Sequence, residues 1–145
     1  MSEVIVRQAK IEDSAEIVEL VKGLEWELTA DEVAGRLKQV LEKPSEYGCF
    51  IAEDEGRLVG FANAIIKIEM HSGYQARVDG IVVDDNCRGK GVGRKLMEVL
   101  ENWAKENGSK TMKLNSNVKR IEAHQFYEKI GYTKAKEQAS FKKTL

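Results

Sequence analysis

One stretch near the middle of the 145-residue chain constrains the fold more than any other. It reads Gly80-Ile-Val-Val-Asp-Asp-Asn-Cys-Arg-Gly-Lys-Gly-Val-Gly-Arg-Lys-Leu96, an apolar strand followed by a polar turn, a basic glycine-rich loop and the start of a helix. The first backbone N–H groups of a helix have no partner within it and carry the positive end of its dipole. Glycines at that point let a phosphate approach closely, so the stretch predicts a pyrophosphate cradle.

The loop spaces its glycines as Gly89-x-Gly91-x-Gly93, and the basic side chains around it are Arg88, Lys90, Arg94 and Lys95. A Walker loop needs G-x-x-x-x-G-K-[ST] and a dinucleotide fingerprint needs G-x-G-x-x-G, and the chain contains neither string. The same residues are also compatible with a tight strand-to-helix connection that binds nothing.

The hydrophobic periodicity predicts a mixed α/β domain spanning residues 1–145. Gly80 predicts a bulge or a close backbone approach in the strand before the glycine loop. The segment Glu69–Gln75 is interpreted as a polar loop between two strands. The predicted strands are Val4–Val6, Tyr47–Glu53, Arg57–Met70, Arg77–Asp84, Thr111–Leu114 and Ser140–Leu145. The predicted helices begin at Asp13 or Ser14 and at Thr29 or Asp31, and two more run over Val92–Asn107 and Arg120–Ile130, the last with Ile121, Phe126 and Ile130 inward.

Charge is distributed unevenly along the chain. Residues 1–70 hold 8 Lys and Arg against 15 Asp and Glu, a net of −7, whereas residues 71–145 hold 15 against 9, a net of +6. The basic half contains the glycine loop and suits a polyanionic cofactor, and the acidic half suits a cationic co-substrate such as an amine. Most of these charges are also expected simply to solvate helix faces. A net charge of −1 argues against a nucleic-acid partner.

Two cysteines and two histidines are too few for a disulfide framework or a metal site, so we expect free thiols at Cys49 and Cys87 and no metal. The chain contains no apolar run long enough to span a bilayer, and its first residues lack the pattern of a signal peptide. We therefore expect a cytoplasmic protein with no membrane partner.

Two motifs in this order resemble the GNAT superfamily of acetyl-CoA-dependent N-acetyltransferases. The first is Arg88-Gly-Lys-Gly-Val-Gly93, which is similar to the family's Q/R-x-x-G-x-G/A signature, and the second is Ala123-His-Gln-Phe-Tyr-Glu-Lys-Ile-Gly-Tyr132. The resemblance implies the GNAT fold, a single mixed and mostly antiparallel sheet splayed between its fourth and fifth strands and flanked by about four helices. The second motif is closest to the small-amine and aminoalkylphosphonate acetyltransferases.

The resemblance implies that an acceptor amine attacks the thioester of acetyl-CoA directly. Arg120 stands where many members carry an Asn that contacts pantetheine, so it is assigned to a phosphate of CoA or to an anionic group of the substrate. Asn115 or Asn117 is then assigned to pantetheine. The residues implied in cofactor binding are Ile81, Val82, Val83, Arg88, Gly89, Lys90, Gly91, Val92, Gly93, Arg94, Asn115 and Arg120.

Tyr127 matches the family's tyrosine that protonates the leaving thiolate, which a phenol with a pKa of about 10 can do at neutral pH. Asp79 is the first candidate for the general base, although Val78 replaces a carboxylate that some members place before it. Glu69, His71 or a water chain are the alternatives. Packing under the last strand is the other interpretation of Tyr127.

The connection between the first two helices forms one wall of the acceptor site in the family. The resemblance therefore implies substrate contacts from Glu25, Trp26 and Glu27, and further contacts from the loop residues Glu69, His71 and Tyr74. The sequence is equally compatible with a structural Trp26 in the core and with Glu25 and Glu27 exposed to solvent. The expected acceptor is a small primary amine. The alternatives are a protein lysine or N-terminus, and a CoA-binding sensor without transfer. A homodimer could form through an edge strand at Ser140–Leu145.

Overall fold

A computed structural model of the chain describes residues 3–116 and 118–145. These residues fall into two compact units, one ending at Leu114 and one beginning at Asn115. The larger unit contains the sheet, three helices and the glycine loop, and the smaller unit contains one helix.

Five strands form one sheet in the larger unit, arranged in chain order. They are β1 Val4–Gln8, β2 Tyr47–Asp54, β3 Arg57–Glu69, β4 Gly73–Val83 and β5 Met112–Leu114. Neighbouring strands are antiparallel except β4 and β5, which are parallel. The parallel pairing covers only residues 76–78 of β4, so within the described part of the chain residues 79–83 have no strand beside them on that side. The predicted mixed sheet, splayed between its fourth and fifth strands, is confirmed.

Four α-helices occur among the described residues, as predicted. They are α1 Ser14–Val21, α2 Ala30–Leu41 and α3 Val92–Glu106 in the larger unit and α4 Ile121–Lys129 in the smaller unit. Single 3-10 turns lie at Ile11–Asp13, Lys22–Leu24 and Asp85–Cys87. The start of α2 is a capping box, because the Thr29 hydroxyl accepts the Glu32 N–H at 3.1 Å and the Glu32 carboxylate accepts the Thr29 N–H at 3.0 Å.

Helices cover both faces of the sheet. On one face α1 and α2 pack against a cluster that includes Ile51, Phe61 and Val82. On the other face α3 approaches so closely that Gly60 meets Leu96 and Gly48 meets Trp103, at distances of 2.9 and 2.7 Å from the positions their Cβ atoms would occupy. The two layers thus pack on opposite faces of the central strands, and β4 leads to the glycine loop.

The structure contradicts three sequence predictions. Residues 133–145 contain no strand and are exposed. The segment Ser140–Leu145 has too few apolar residues alternating with polar ones to bury one face of a strand. The homodimer expected from that strand loses its basis. Ile121 is 64% exposed instead of inward, because it is the first residue of α4. The polar loop of residues 69–75 is shorter than predicted, since β3 runs to Glu69 and β4 resumes at Gly73.

Cys49 and Cys87 are free thiols, and both are buried. Burial in the core raises the pKa of the Cys49 thiol to about 12, which keeps it protonated and chemically inert at neutral pH. None of the helices within residues 3–116 and 118–145 combines the length and the apolar character needed to cross a membrane.

Candidate functional site

The glycine loop follows β4 through the 3-10 turn Asp85–Cys87 and leads directly into α3. Gly89 has φ +80° and Gly91 has φ +79°, a left-handed conformation that side chains with a Cβ rarely adopt. A Cβ at either position would meet no atom within 4 Å, so the space over the loop is open. The glycines are therefore needed for backbone conformation, and they leave the loop surface accessible to a ligand.

The start of α3 has free backbone donors. Gly91 is the residue before the helix, and as a glycine it has no side chain with which to cap this end. The first bond of the helix is donated by the Lys95 N–H to the Gly91 carbonyl at 3.1 Å. The N–H groups of Val92, Gly93 and Arg94 precede that bond and are left for a ligand. Free N–H groups and the positive end of a helix dipole are the features that a bound anion needs, and they lie where the sequence predicts the cradle.

The basic side chains around the loop are exposed but differ in their contacts. Arg88 forms an ion pair with Asp85 at 3.0 Å, and Arg94 lies 3.6 Å from Glu98 one helical turn away. The Lys95 ammonium donates to the Val4 carbonyl at 3.2 Å, which directs it toward β1. Lys90 takes part in none of the ion pairs found within the described residues. Exposed ion pairs are weak, so Arg88 and Arg94 can exchange their partners for a phosphate.

The end of β4 carries the bulge predicted at Gly80. Asn63 of β3 faces Gly80, and the next residue, Ala64, faces Val78, so Asp79 is the extra residue. The side-chain amide nitrogen of Asn63 donates to the Asp79 carboxylate at 3.4 Å, while its side-chain oxygen Oδ1 is buried and has no partner among the described residues. Asp79 itself is exposed. The bulge therefore presents a carboxylate, held by an amide, beside the splayed part of the sheet.

Trp26 packs on the same bulge. Its ring atom Cη2 lies 2.6 Å from the position that a Cβ on Gly80 would occupy, and Leu24 lies 3.2 Å from that position. The chain reaches this contact through Glu25, whose φ of +63° is an uncommon conformation for a residue other than glycine. Glu25 and Glu27 are exposed on either side of the half-buried Trp26. Local strain next to a candidate site is consistent with a functional constraint.

The remaining acceptor candidates lie elsewhere. Glu69 and His71 form a 3.6 Å ion pair at the turn between β3 and β4, and one Glu69 oxygen is buried without a partner. Glu69 faces Gly73, and Gly73 lies seven positions before Gly80 in β4. This end of the hairpin is therefore about 20 Å of strand away from the bulge. Tyr74 is exposed and faces Ile68, with the last turn of α3 nearby. The structure therefore brings Trp26 and Asp79 together and places Glu69, His71 and Tyr74 at the far end of the hairpin.

In the smaller unit, Tyr127 lies on α4 and is half-buried. Its ring stands edge-on to Phe126, with centroids 5.4 Å apart, and to Tyr132, with centroids 6.2 Å apart. The Tyr132 N–H donates to the Tyr127 carbonyl at 2.9 Å, which fixes the turn after the helix. Burial raises the pKa of the Tyr127 phenol, and the positive charge of Arg120 opposes that shift only in part. The phenol therefore keeps its proton at neutral pH.

Asn115 and Arg120 are exposed residues of the same unit, and Arg120 directly precedes α4. The alternative pantetheine contact, Asn117, lies outside the described residues. In the larger unit, Ile81 and Val83 are half-buried in β4, and Val82 is buried against α1 and α2. The Asp84 N–H donates to the Val59 carbonyl of β3 at 2.8 Å, and backbone groups alternate in direction along a strand, so Val82 also turns its backbone groups toward β3. The backbone groups of Ile81 and Val83 therefore face the open edge of the strand, where a ligand can meet them.

Comparison with known proteins decides the family. A family model described as the acetyltransferase (GNAT) family matches residues 14–132. The chain belongs to the GNAT acetyltransferase family. Its members use acetyl-CoA, so the chain is an acetyl-CoA-dependent N-acetyltransferase, as its two motifs predicted.

Two curated relatives and one solved structure extend this result. The chain is 28% identical to an aminoglycoside N(6')-acetyltransferase of Stenotrophomonas maltophilia, over 97% of the chain and 93% of the relative. It is 29% identical to an aminoalkylphosphonate N-acetyltransferase of Salmonella typhimurium, over 88% of the chain and 83% of the relative. An aminoglycoside N-acetyltransferase solved in complex with CoA superposes with a TM-score of 0.88 and 19% identity, covering 100% and 97% of the two chains. That structure shows that this chain has the GNAT fold.

Sequence reasoning missed Asn63, which holds Asp79. The available signal was a single polar residue within the apolar run Phe61-Ala-Asn-Ala-Ile-Ile66. A half-buried polar side chain in a central strand needs a partner for its shielded atoms, and the bulge supplies one. The pairing itself could not be read from the sequence, because it depends on the register between β3 and β4.

Proposed function

We propose that this N-acetyltransferase transfers the acetyl group of acetyl-CoA to a primary amine of a small molecule, and that residues 1–145 act as one catalytic domain. The observation that carries the proposal is the unpaired end of β4, which leads within a few residues to free N–H groups at a glycine-rich helix start. The family match spans both compact units, which supports a single domain. Two relatives are named for amine acceptors, an aminoglycoside and an aminoalkylphosphonate.

The loop fits the diphosphate of acetyl-CoA. Its surface is open, its glycines hold the required φ values, and its free donors are the backbone N–H groups of Val92, Gly93 and Arg94. Gly89 and Gly91 allow close approach, while Arg88 and Lys90 supply positive charge. The open edge of residues 81–83 is suited to pair with the pantetheine arm as an added strand. Asn115 is assigned to the pantetheine arm, and Arg120 is assigned to a phosphate of CoA or to an anionic group of the substrate.

In the proposed reaction the amine nitrogen forms a bond to the acetyl carbon, the carbon–sulfur bond breaks, and the sulfur takes up a proton. Tyr127 is the proposed donor of that proton. Its raised pKa supports this role, because a phenol that remains protonated at neutral pH can supply a proton to a thiolate.

Asp79 is the proposed acceptor of the proton that the amine loses. An exposed carboxylate held by the Asn63 amide is available for this role and also attracts a cationic amine. Glu69 and His71 are weaker candidates because about 20 Å of strand separates them from the bulge. Glu25, Trp26 and Glu27 are the proposed wall of the acceptor site.

Replacing Gly80 with Ala tests the role of Trp26. The new Cβ would lie 2.6 Å from the ring, and because Trp26 is only half-buried, we expect the ring to move away from the bulge. The acceptor KM should rise several-fold while the KM for acetyl-CoA stays unchanged. Overpacking of this kind costs about 1–3 kcal/mol of stability, measurable by denaturant unfolding.

Gly48→Ala is the matched control, because its Cβ would lie 2.7 Å from Trp103 on the opposite face of the sheet. The control should lose comparable stability without any change in acceptor KM. If both variants raised the acceptor KM equally, the effect of Gly80 would be one of stability, and Trp26 would have no place in the acceptor site.

Mass spectrometry of an acceptor panel tests the proposed function. The purified protein is incubated with acetyl-CoA and with small amines, lysine peptides and peptides with free N-termini, and the products are searched for added acetyl groups. Acetylation of small amines alone is the expected result. Preferential acetylation of peptides would favour a protein acetyltransferase, and acetyl-CoA binding without any acetylated product would favour a sensor domain.

A further inference from the structure

Arg77 and Lys113 lie side by side in the sheet without an acidic partner. Arg77 of β4 is the register partner of Lys113 in the parallel β5, so their side chains start from one face about 5 Å apart. Neither residue takes part in an ion pair among the described residues. Like charges directly across two strands are destabilising, so this pair is not explained by the stability of the sheet.

The guanidinium of Arg77 also has an unused donor. Its Nε atom is buried, and no acceptor in the described part of the chain reaches it. A buried donor without an acceptor costs about 1–3 kcal/mol, and more when the group is charged. An unpaired buried donor beside a second cation indicates a site for an anion that is not part of the protein.

This cationic pair adjoins the proposed amine site. Ile65 faces Arg77 across β3 and β4, and Asn63 lies two residues before Ile65 on the same face. Asn63 holds Asp79 through its amide, and about 7 Å of strand separates Asn63 from Ile65, the residue that faces Arg77. Gly80, beside Asp79, faces Trp26, which identifies this as the face of the proposed acceptor wall.

We infer that the acceptor is a zwitterion, a primary amine that also carries a carboxylate, phosphonate or phosphate group a short chain away. This inference rests on the proposed function. Asp79 attracts the amine, and Arg77 with Lys113 binds the anionic group. A planar guanidinium binds such groups with two parallel hydrogen bonds, so Arg77 orients the acceptor and Lys113 adds charge. Arg77 is thus a specificity-determining residue that takes no part in the proton transfers.

Matched acceptors test the inference by kinetics. Each pair shares one amine with and without its anionic group: 3-aminopropylphosphonate against propylamine, and β-alanine against its amide. We expect kcat/KM to be at least tenfold higher for the anionic member of each pair. Arg77→Gln should lower kcat/KM for the anionic member of each pair tenfold or more and so abolish that preference, and Arg77→Lys should restore part of it.

Lys105→Gln removes the same charge from an exposed position on α3 and is the control. It should leave the preference for anionic acceptors unchanged. Equal kcat/KM for both members of each pair in the unaltered protein would overturn the inference while leaving the acetyltransferase proposal intact. If Lys105→Gln also lost the preference, the preference would depend on the net charge of the protein and not on Arg77, and the inference would be overturned.

Calorimetric titration with 3-aminopropylphosphonate in the presence of CoA separates the two proposals if no amine is acetylated. Binding that Arg77→Gln weakens tenfold or more, while Lys105→Gln leaves it intact, would support the anion site although the proposed reaction had failed. Equal binding of 3-aminopropylphosphonate and propylamine would overturn the anion site by itself.

Discussion

Replacing Tyr127 with Phe is expected to lower kcat by about 100-fold or more, because general acid catalysis contributes roughly 10²–10⁴-fold to a rate. The ring would remain, so its edge-on packing with Phe126 and Tyr132 would persist and the fold should be retained. The affinity for acetyl-CoA should change little, since only the proton donor is lost. Steady-state kinetics together with a titration of acetyl-CoA measure both quantities.

Tyr132→Phe is the matched control, because it removes a hydroxyl from the ring packed against Tyr127. Its kcat should stay close to that of the unaltered protein. Burial raises the pKa of Tyr127 above that of a free phenol, so the acid form should persist to higher pH than it does in a free tyrosine. An equal loss of kcat and of acetyl-CoA affinity in Tyr127→Phe would show that the residue is structural.

Replacing Gly91 with Val is expected to weaken acetyl-CoA binding by tenfold or more. A β-branched residue does not tolerate φ +79°, so the backbone before α3 must turn and misalign the N–H groups of Val92, Gly93 and Arg94. A hydrogen bond to a charged group contributes about 1.5–3 kcal/mol, so the loss of one is enough for the expected effect. Calorimetric titration with acetyl-CoA measures it.

Gly56→Val is a close control, because Gly56 also has φ +79° with no atom within 4 Å of its Cβ position. It lies in the turn between β2 and β3, away from the glycine loop. Both variants should lose similar stability, and only Gly91→Val should lose affinity. Intact acetyl-CoA binding in Gly91→Val would mean that the loop is only a tight connection between β4 and α3.

The sequence predicted those parts of the molecule that depend on local chemistry. Thr29 caps α2 as expected, and Gly80 marks both a bulge and a close approach. Two motifs indicated the family through residue type and spacing alone, and the family match confirms it. These features depend on side-chain volume, φ preference and hydrogen bonding over a few residues, which neighbouring positions of the chain determine.

The contacts that could not be predicted from the sequence depend on strand register. The pairing of Asn63 with Asp79 and of Arg77 with Lys113 joins residues far apart in the chain. A shift of one residue would separate them, and no single-sequence pattern fixes that register. The same limit explains the strand wrongly predicted at Ser140–Leu145, because a short segment with few apolar residues does not show whether a neighbouring strand is present.

The central claim is that the chain catalyses direct transfer from acetyl-CoA to an amine, and release of the CoA thiol tests it most directly. The free thiol is followed in real time with folded protein and acetyl-CoA, first without an amine and then with the matched zwitterionic acceptors. We predict negligible release without an amine and saturable release when one is added. Release at the same rate in both conditions, or none with any amine from protein that binds acetyl-CoA, would contradict the account.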